Sequence, residues 1–449
     1  MSLELVKRAL ARARRRGAFA ADAVVVESDA REVRVRGEEI EFVTQEHSRT
    51  LGLRAFVKAP GGLRVAITST TDLEEATALE LVDDTVELAG ATAPDPCAGL
   101  PEGGFPSELP DLDLIRSEER DVPLEARIAD ARRAEAAARA LDPRVTNSQG
   151  SDASSGFSRV AFGNSQGFFG VYEAAQHSLV SMPVASENGS MQTDWWVSAG
   201  RSLAALEEPG SVGRRAASRA LRRLGSRRVK TCKVPVIFEA ITARSLLSHL
   251  AACVTGGALY RKTSFLCERL GEAIANERVT VIDDGRRRAG LGSRPFDGEG
   301  LATRRTVVLD KGVLRSWLLD GYSARKLGLA STGNASRSPG SAPGASPSNL
   351  WLEPGDSSLE EMVASTERGL LVTWLFGPGF NPVTGDFSRG AAGLWIEDGR
   401  VAFPVHEVTI AGNLGEMLAA IDAVGRDVEW LGSVASPPLR IASLTVAGD

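Results

Sequence analysis

The spacing of apolar and polar residues changes period several times along the chain, and each change marks an element. Leu3, Val6 and Leu10 recur at helical spacing with Arg8, Arg12, Arg15 and Arg16 on the polar side, which predicts an opening amphipathic helix. The period then shortens to two. AVVVE at 23–27 reads as a buried strand, and REVRVR at 31–36 alternates charge with valine as a half-exposed strand does. Residues 41–44 and 51–57 continue that pattern, Pro60-Gly61-Gly62 turns the chain, and residues 63–67 return as the next strand. Thr71-Asp72-Leu73-Glu74 has capping-box spacing and predicts a helix to about Leu88.

An extended connector follows, punctuated by Pro94, Pro96, Pro101, Pro106, Pro110 and Pro123. An Ala/Arg/Glu-rich helix is predicted over 124–141, then meandering strands over 144–200. In these, Asn147-Ser148-Gln149-Gly150 and Asn164-Ser165-Gln166-Gly167 read as two similar turns. An Arg-studded helix over 212–224 leads to a link at 226–230. The second half predicts strands at 234–238, 279–282, 306–309, 314–319, 370–376, 394–397 and 401–404, and helices at 243–253, 360–368 and 414–424. Residues 331–349 are Ser/Gly/Pro/Ala-rich and almost uncharged, which predicts a long mobile loop. The class is α+β, with antiparallel sheets and interspersed helices. Two domains are expected, 1–228 and 229–449.

Composition narrows the chemistry. The chain has 449 residues, 52 Lys+Arg and 58 Asp+Glu, a formal charge of −6. That balance argues against a general nucleic-acid binder. No apolar run is long enough for a transmembrane helix. The basic N-terminal segment lacks an apolar core and reads as a folded helix, not a secretory leader. His47, His177, His249 and His406 are the only histidines, and Cys97, Cys232, Cys253 and Cys267 the only cysteines. The cysteines are widely spaced, which fits reduced thiols in a cytoplasm.

His249 and Cys253 stand one helical turn apart, so they share a face and could share a metal or form a nucleophilic pair. No third ligand follows locally, and the helix is otherwise apolar, so a core histidine and a buried thiol are the plainer reading. Asp283-Asp284 and Asp297-Gly298-Glu299 could do acid–base work, but such clusters are ordinary at turns. The cations of 214–230 lack interleaved aromatics and read as a solvated face or partner contact. Trp195 and Trp196 should point to opposite faces of a strand. TGDFSRG at 384–390 could present backbone N–H groups to an anion or a peptide carbonyl.

Several long segments together carry more information than any of these. DPRVTNSQG (142–150), FGNSQGF (162–168), CKVPVIFE (232–239), GGALYRKTSFL (256–266), PFDGEG (295–300), WLLDGYSARKLGLASTG (317–333), TGDFSRGAAGLWIEDG (384–399) and PVHEVTIAGNL (404–414) resemble the TldD/TldE peptidase family. Within it they resemble the TldE, or PmbA-like, branch. The resemblance spans essentially the whole chain and implies a two-subunit cytoplasmic metallopeptidase acting on small or unfolded peptides. In the TldD type, His-Glu-x-x-x-His on a helix before an Arg-Lys pair holds zinc, with a further Cys ligand near the C-terminus. Counted back from Arg261-Lys262, the matching positions here are Ser248, His249 and Cys253, and no Cys follows Cys267.

The resemblance therefore implies no catalytic or metal-ligating residue in this chain, and zinc in a TldD-type partner. Thr332, Gly333 and Asn334, with Thr384, Gly385, Asp386, Ser388, Arg389 and Gly390, are the candidates for facing a peptide. A site of main-chain donors would suit a peptide added as a strand to a sheet edge. A homo-oligomer, and a non-enzymatic binding protein or modulator of another protein, are the alternatives.

Overall fold

The computed structural model describes residues 2–449. The opening helix, Ser2–Arg15, buries Val6, Ala9, Leu10 and Ala13, the face its spacing defines. Its Arg12 forks onto Asp83 of the helix Glu75–Ala91 at 2.7 and 2.6 Å. The residues read as separate short strands are continuous: Ala20–Arg36 and Glu39–Ala59 form one long hairpin, joined by Gly62–Thr70. The capping box at 71–74 does not form. Asp72 instead accepts from the Glu74 N–H at 2.9 Å as a local turn, and the helix starts three residues later than the box implies, at Glu75, without a side-chain cap.

The first sheet has seven antiparallel strands. Ala20–Arg36 lies between Glu39–Ala59 and Val145–Asn164, so residues on both sides of the proline-rich connector share one sheet. Phe169–Glu187 follows and carries both Ser190–Thr193 and Trp196–Gly200. The pleat sorts the two faces. Ala21, Ala23 and Val25 pack with Leu51, Leu53 and Ala55 under the first two helices. The helices Leu124–Ala140 and Pro209–Leu221 cover the rest of that face. Val24, one residue out of phase, packs with Phe162, Phe168 and Phe296 on the other face.

The second half is built on a six-stranded sheet in the order Arg400–Asn413, Asp386–Glu397, Arg368–Phe376, Cys232–Phe238, Leu439–Ala447, Ile421–Val424. Arg400–Asn413 also pairs with Leu439–Ala447, which closes five of the strands into a ring. Register shifts at Val372/Trp374, Ala391/Gly393 and Ile441/Leu444 supply the bends that closure needs. The helix Ala240–Val254 contributes Leu246, Leu247, Leu250 and Cys253 to the largest core. A small five-stranded sheet, including Val281–Asp284, Arg305–Asp310 and Leu350–Leu352, packs beside it. The mixture of helix and mostly antiparallel sheet is the α+β class the pattern predicts.

Several expectations give way to the structure. Residues 147–150 are not a turn but a bulge inside the strand Val145–Asn164, with Gly150 at φ 112°. Residues 164–167 do turn, because the Asn164 side chain accepts from the N–H groups of Gln166 and Phe168. The helix predicted over 414–424 ends at Ala419 and gives way to the strand Ile421–Val424. The strand predicted at 314–319 shrinks to Val313–Leu314.

The loop at 331–349 is pinned, not free. It forms a short hairpin from Ala335–Ser336 and Gly344–Ala345, and Arg337 is buried against Asp22. Low charge made it read as mobile, yet its one cation anchors it, and its small residues let it lie against the sheet. A methyl on Gly52 would meet the Pro339 carbonyl oxygen at 2.0 Å.

Candidate functional site

Ser248, His249 and Cys253 fall on three different surroundings of the helix Ala240–Val254. Ser248 is exposed, and its hydroxyl donates to the Arg244 carbonyl at 3.1 Å. The His249 ring stacks on Phe380 with centroids 4.4 Å apart and meets the edge of Phe387 at 6.0 Å. Its Nε2 is buried with no hydrogen-bond partner among the described residues. Cys253 is fully buried, its thiol 4.0 Å from the Pro382 carbonyl oxygen.

Burial, helped by the Arg389 charge, pushes the His249 imidazole down to about 4. Burial pushes the Cys253 thiol up to about 12, against a hydrogen bond with Ser264. At neutral pH the pair is a neutral ring and a protonated thiol, and a protonated thiol is a poor nucleophile. Among the described residues, no three His, Cys, Asp or Glu side chains gather closely enough to hold a metal ion. A hydroxyl tied to its own helix, a ring between two phenyl groups and a buried thiol do not fit a zinc ion.

The two candidate peptide-facing stretches occupy different settings, and no hydrogen bond joins them among the described residues. Thr332 and Asn334 are buried. The Thr332 hydroxyl accepts from the Leu319 N–H at 2.6 Å and donates to the Asn334 side-chain oxygen Oδ1 at 2.7 Å. The Asn334 amide donates to Asp283 at 2.7 Å, and Gly333 turns the chain at φ 73°. Thr384, Asp386 and Ser388 are exposed. There the N–H groups of Gly385 and Ser388 donate to Asn381 and Gly379, so the main chain is largely satisfied internally. Gly390 lies under Phe376, where a methyl group would meet the ring at 2.1 Å.

The acidic clusters at 283–284 and 297–299, read from the pattern as turns, are in large part interior, and they are joined there by Asp22, which no local pattern singles out. Asp22, Asp283, Asp297 and Glu299 are all 2% exposed or less. Asp22 receives Arg54 at 2.9 Å and Arg337 at 2.6 Å, and Arg54 reaches Glu299 at 3.3 Å. Burial pushes the Asp22 carboxyl up, but Arg337 and Arg54 outweigh it and hold it below the usual range. Asp283 and Asp297 lack such partners, and burial pushes each up to about 7. The turn expected at 297–300 is present, since Asp297 accepts from the N–H groups of Glu299 and Leu301. It is a turn folded into the interior. The signal that could have found it is the DGEG run beside an aromatic, Phe296, which inserts between Phe162 and Phe168.

The cations of 214–228 also turn inward in part. Arg219 and Arg222 hold Glu239 at 2.9 and 2.6 Å, joining the two halves of the chain. Trp196 is buried beneath Arg215, whose guanidinium lies 3.4 Å from the ring centroid, whereas Trp195 stays half-exposed. A cavity of about 460 Å³ lies between the first sheet and the segment just after the degenerate motif. Tyr260 and Arg261 line it, facing Asp95, Tyr322 and the 342–345 side of the pinned loop. Tyr322 donates to Asp95 at 2.7 Å.

Three domain models of the PmbA/TldA metallopeptidases match in order: domain 1 at residues 21–89, the central domain at 117–224 and the C-terminal domain at 231–448. The chain is 38% identical to the metalloprotease PmbA of Escherichia coli O157:H7, over 94% of this chain and 92% of that one. It is 32% identical to a PmbA homologue of Haemophilus influenzae, over 96% and 92%. A Bacteroides thetaiotaomicron structure described as a candidate modulator of DNA gyrase superposes with a TM-score of 0.91 at 28% identity, covering 99% of this chain and 98% of that one. TldE from Thermococcus kodakarensis shares the fold, with a TM-score of 0.89 at 22% identity over 99% and 100%. Contiguous matches along nearly the whole length place this chain in the PmbA/TldD metallopeptidase family.

Proposed function

We propose that this chain is the TldE-type subunit of a two-subunit cytoplasmic metallopeptidase that degrades or matures small or unfolded peptides, with zinc carried by a TldD-type partner. The observation that supports this reading is the helix Ala240–Val254: its motif positions hold Ser248, His249 clamped by Phe380 and Phe387, and buried Cys253. A subunit relieved of metal chemistry can fill those positions with packing groups. Its own work is to enclose and hold the peptide. Thr384, Gly385, Asp386, Ser388, Arg389 and Gly390 form the peptide-facing rim, and the Thr332–Gly333–Asn334 turn stiffens the wall behind the pinned loop. Residues 1–228 and 229–449 are its two domains.

The test uses the purified chain, a TldD-type partner and the mixture. Zinc is measured by plasma mass spectrometry and cleavage with a fluorogenic peptide. The lone chain is expected to be metal-free and inactive, and the mixture to hold zinc and lose activity with chelator. Full-rate cleavage by the lone chain would sink the reading. A non-enzymatic modulator is the second reading, favoured by the description of the Bacteroides relative. It predicts tight binding to one target protein and no gain in cleavage when a TldD-type partner is added.

A further inference from the structure

Where the helix Pro209–Leu221 meets the closed sheet, a cavity of about 200 Å³ opens between the two halves of the chain. Arg219, Arg244 and Arg389 line it, with Trp195, Trp374 and Thr373. The local charges do not balance. The nearby carboxylates, Asp194 and Glu239, are already taken: Arg219 holds Asp194 at 3.2 Å and Glu239 at 2.9 Å, and Arg222 holds Glu239 at 2.6 Å. Arg223 is occupied over the Trp374 ring at 5.0 Å.

Arg244 has no hydrogen bond or ion pair from its side chain among the described residues, and Arg389 has one, to the Gly377 carbonyl at 3.1 Å. Both are half-buried. Burial pushes both guanidinium groups down, and no carboxylate counters it. Two half-buried cations without counter-charge are costly unless a ligand supplies it.

The backbone adds a third element. The ladder between Arg368–Phe376 and Asp386–Glu397 shifts register between Val372 and Trp374, so Thr373 sits on a bulge. Bulges re-aim side chains and occur beside functional sites. Thr373 is 1% exposed and its Oγ1 has no hydrogen-bond partner among the described residues. A buried hydroxyl left unpaired calls for a partner outside the chain.

We propose that this cavity binds an oxyanion, a carboxylate or a phosphate, held by Arg244 and Arg389 with the Thr373 hydroxyl as a further donor. Guanidinium groups suit both anions because their N–H forks match the oxygen pairs. The indoles of Trp195 and Trp374 wall the site and give room to the organic part of a small ligand. The site shares Arg389 with the proposed peptide-facing rim, yet neither zinc nor a partner subunit enters the inference, so anion binding by the lone chain can fail or succeed independently of the peptidase reading.

Calorimetry on the full chain at low salt tests it, with inorganic phosphate, N-acetylglycine as a peptide carboxylate, and N-acetylglycinamide as the uncharged control. Saturable one-to-one binding of at least one anion, weakened by salt, is expected. Phosphate alone or acetylglycine alone then identifies the source. Arg244→Gln and Arg389→Gln should each weaken binding about tenfold or more, Thr373→Val a few-fold, and the exposed Arg14→Gln not at all. Melting without ligand separates this from a structural role: Arg244→Gln should melt no lower than the parent. Failure of both anions to bind, equal binding of the amide, binding that survives the double Arg variant, or a drop of several degrees in Arg244→Gln would each overturn the proposal.

Discussion

Replacing Asp22 with Asn tests whether one buried carboxylate joins the two halves of the chain. Asp22 stands at 0% exposure between Arg54 of the first sheet and Arg337 of the pinned loop, at 2.9 and 2.6 Å. An amide is nearly the same size, so packing survives and only the charge goes. Arg337 then loses its one ion pair among the described residues, and Arg54 keeps the longer contact to Glu299 at 3.3 Å. Breaking a buried pair from one side costs ~3–5 kcal/mol. At ~2.1 cal/mol/K per residue, a chain of 449 residues melting as one unit has an unfolding entropy of roughly 0.9 kcal/mol/K, so Tm should fall by ~3–5 °C.

The sign with pH follows from the direction of the shift. Asp22 is held below its ordinary value, so its contribution is complete above ~3.9 and is lost as pH falls through the lower, folded value. The deficit of the variant should therefore be full at pH 7 and shrink on strong acidification. Scanning calorimetry at pH 7 and at stepwise lower pH reads both. A Tm within 1 °C of the parent at pH 7 would refute the reasoning, as would a deficit that grows as the acid rises. Limited proteolysis adds a local readout, because Asp22→Asn should expose the 337–341 segment to cleavage.

Other outcomes are equally specific. His249→Phe should gain stability relative to the parent as pH drops from about 6.5 towards 4, because the parent imidazole, pushed down to about 4, penalises the folded state across that window; paired melts at pH 7 and 4.5 measure it. Asp283 and Asp297, pushed up to about 7, work in the opposite sense, so their contribution to stability falls as pH rises from about 4 to 7; carboxyl carbon NMR should find both still titrating near 7. Gly52→Ala should displace the loop, since its methyl group would overlap the Pro339 carbonyl, and should raise hydrogen exchange over 335–345. A native-state thiol titration should leave Cys253 unreacted until denaturant is added, while the partly exposed Cys97, Cys232 and Cys267 react first.

Local pattern made the elements legible where burial has a simple period. The alternation at 20–36 appears directly as Ala21, Ala23 and Val25 on one face and Val24 on the other. It failed where long-range contacts decide. Nothing near residue 22 announces that its carboxylate will meet residue 337, because the pairing depends on two halves coming together. The same holds for Asp297, which reads as a turn residue from its neighbours but is buried where it accepts from the Ala335 N–H, beside Phe296 packed on Phe162 and Phe168 of the first sheet. The degenerate helix was legible in part. Spacing put His249 and Cys253 on one face, but the rings that enclose His249 come from residues 380 and 387, beyond the reach of helical periodicity.

The ring of strands in the second half has a consequence for synthesis. Cys232–Phe238 is its first strand, and Leu439–Ala447, made about two hundred residues later, pairs along one side of it. Until that segment leaves the ribosome, Val234, Val236 and Phe238 sit on an open edge ready to pair with any passing strand. The growing chain therefore carries a sticky seam for most of the time its second half is being made, and shielding that seam is work for a chaperone.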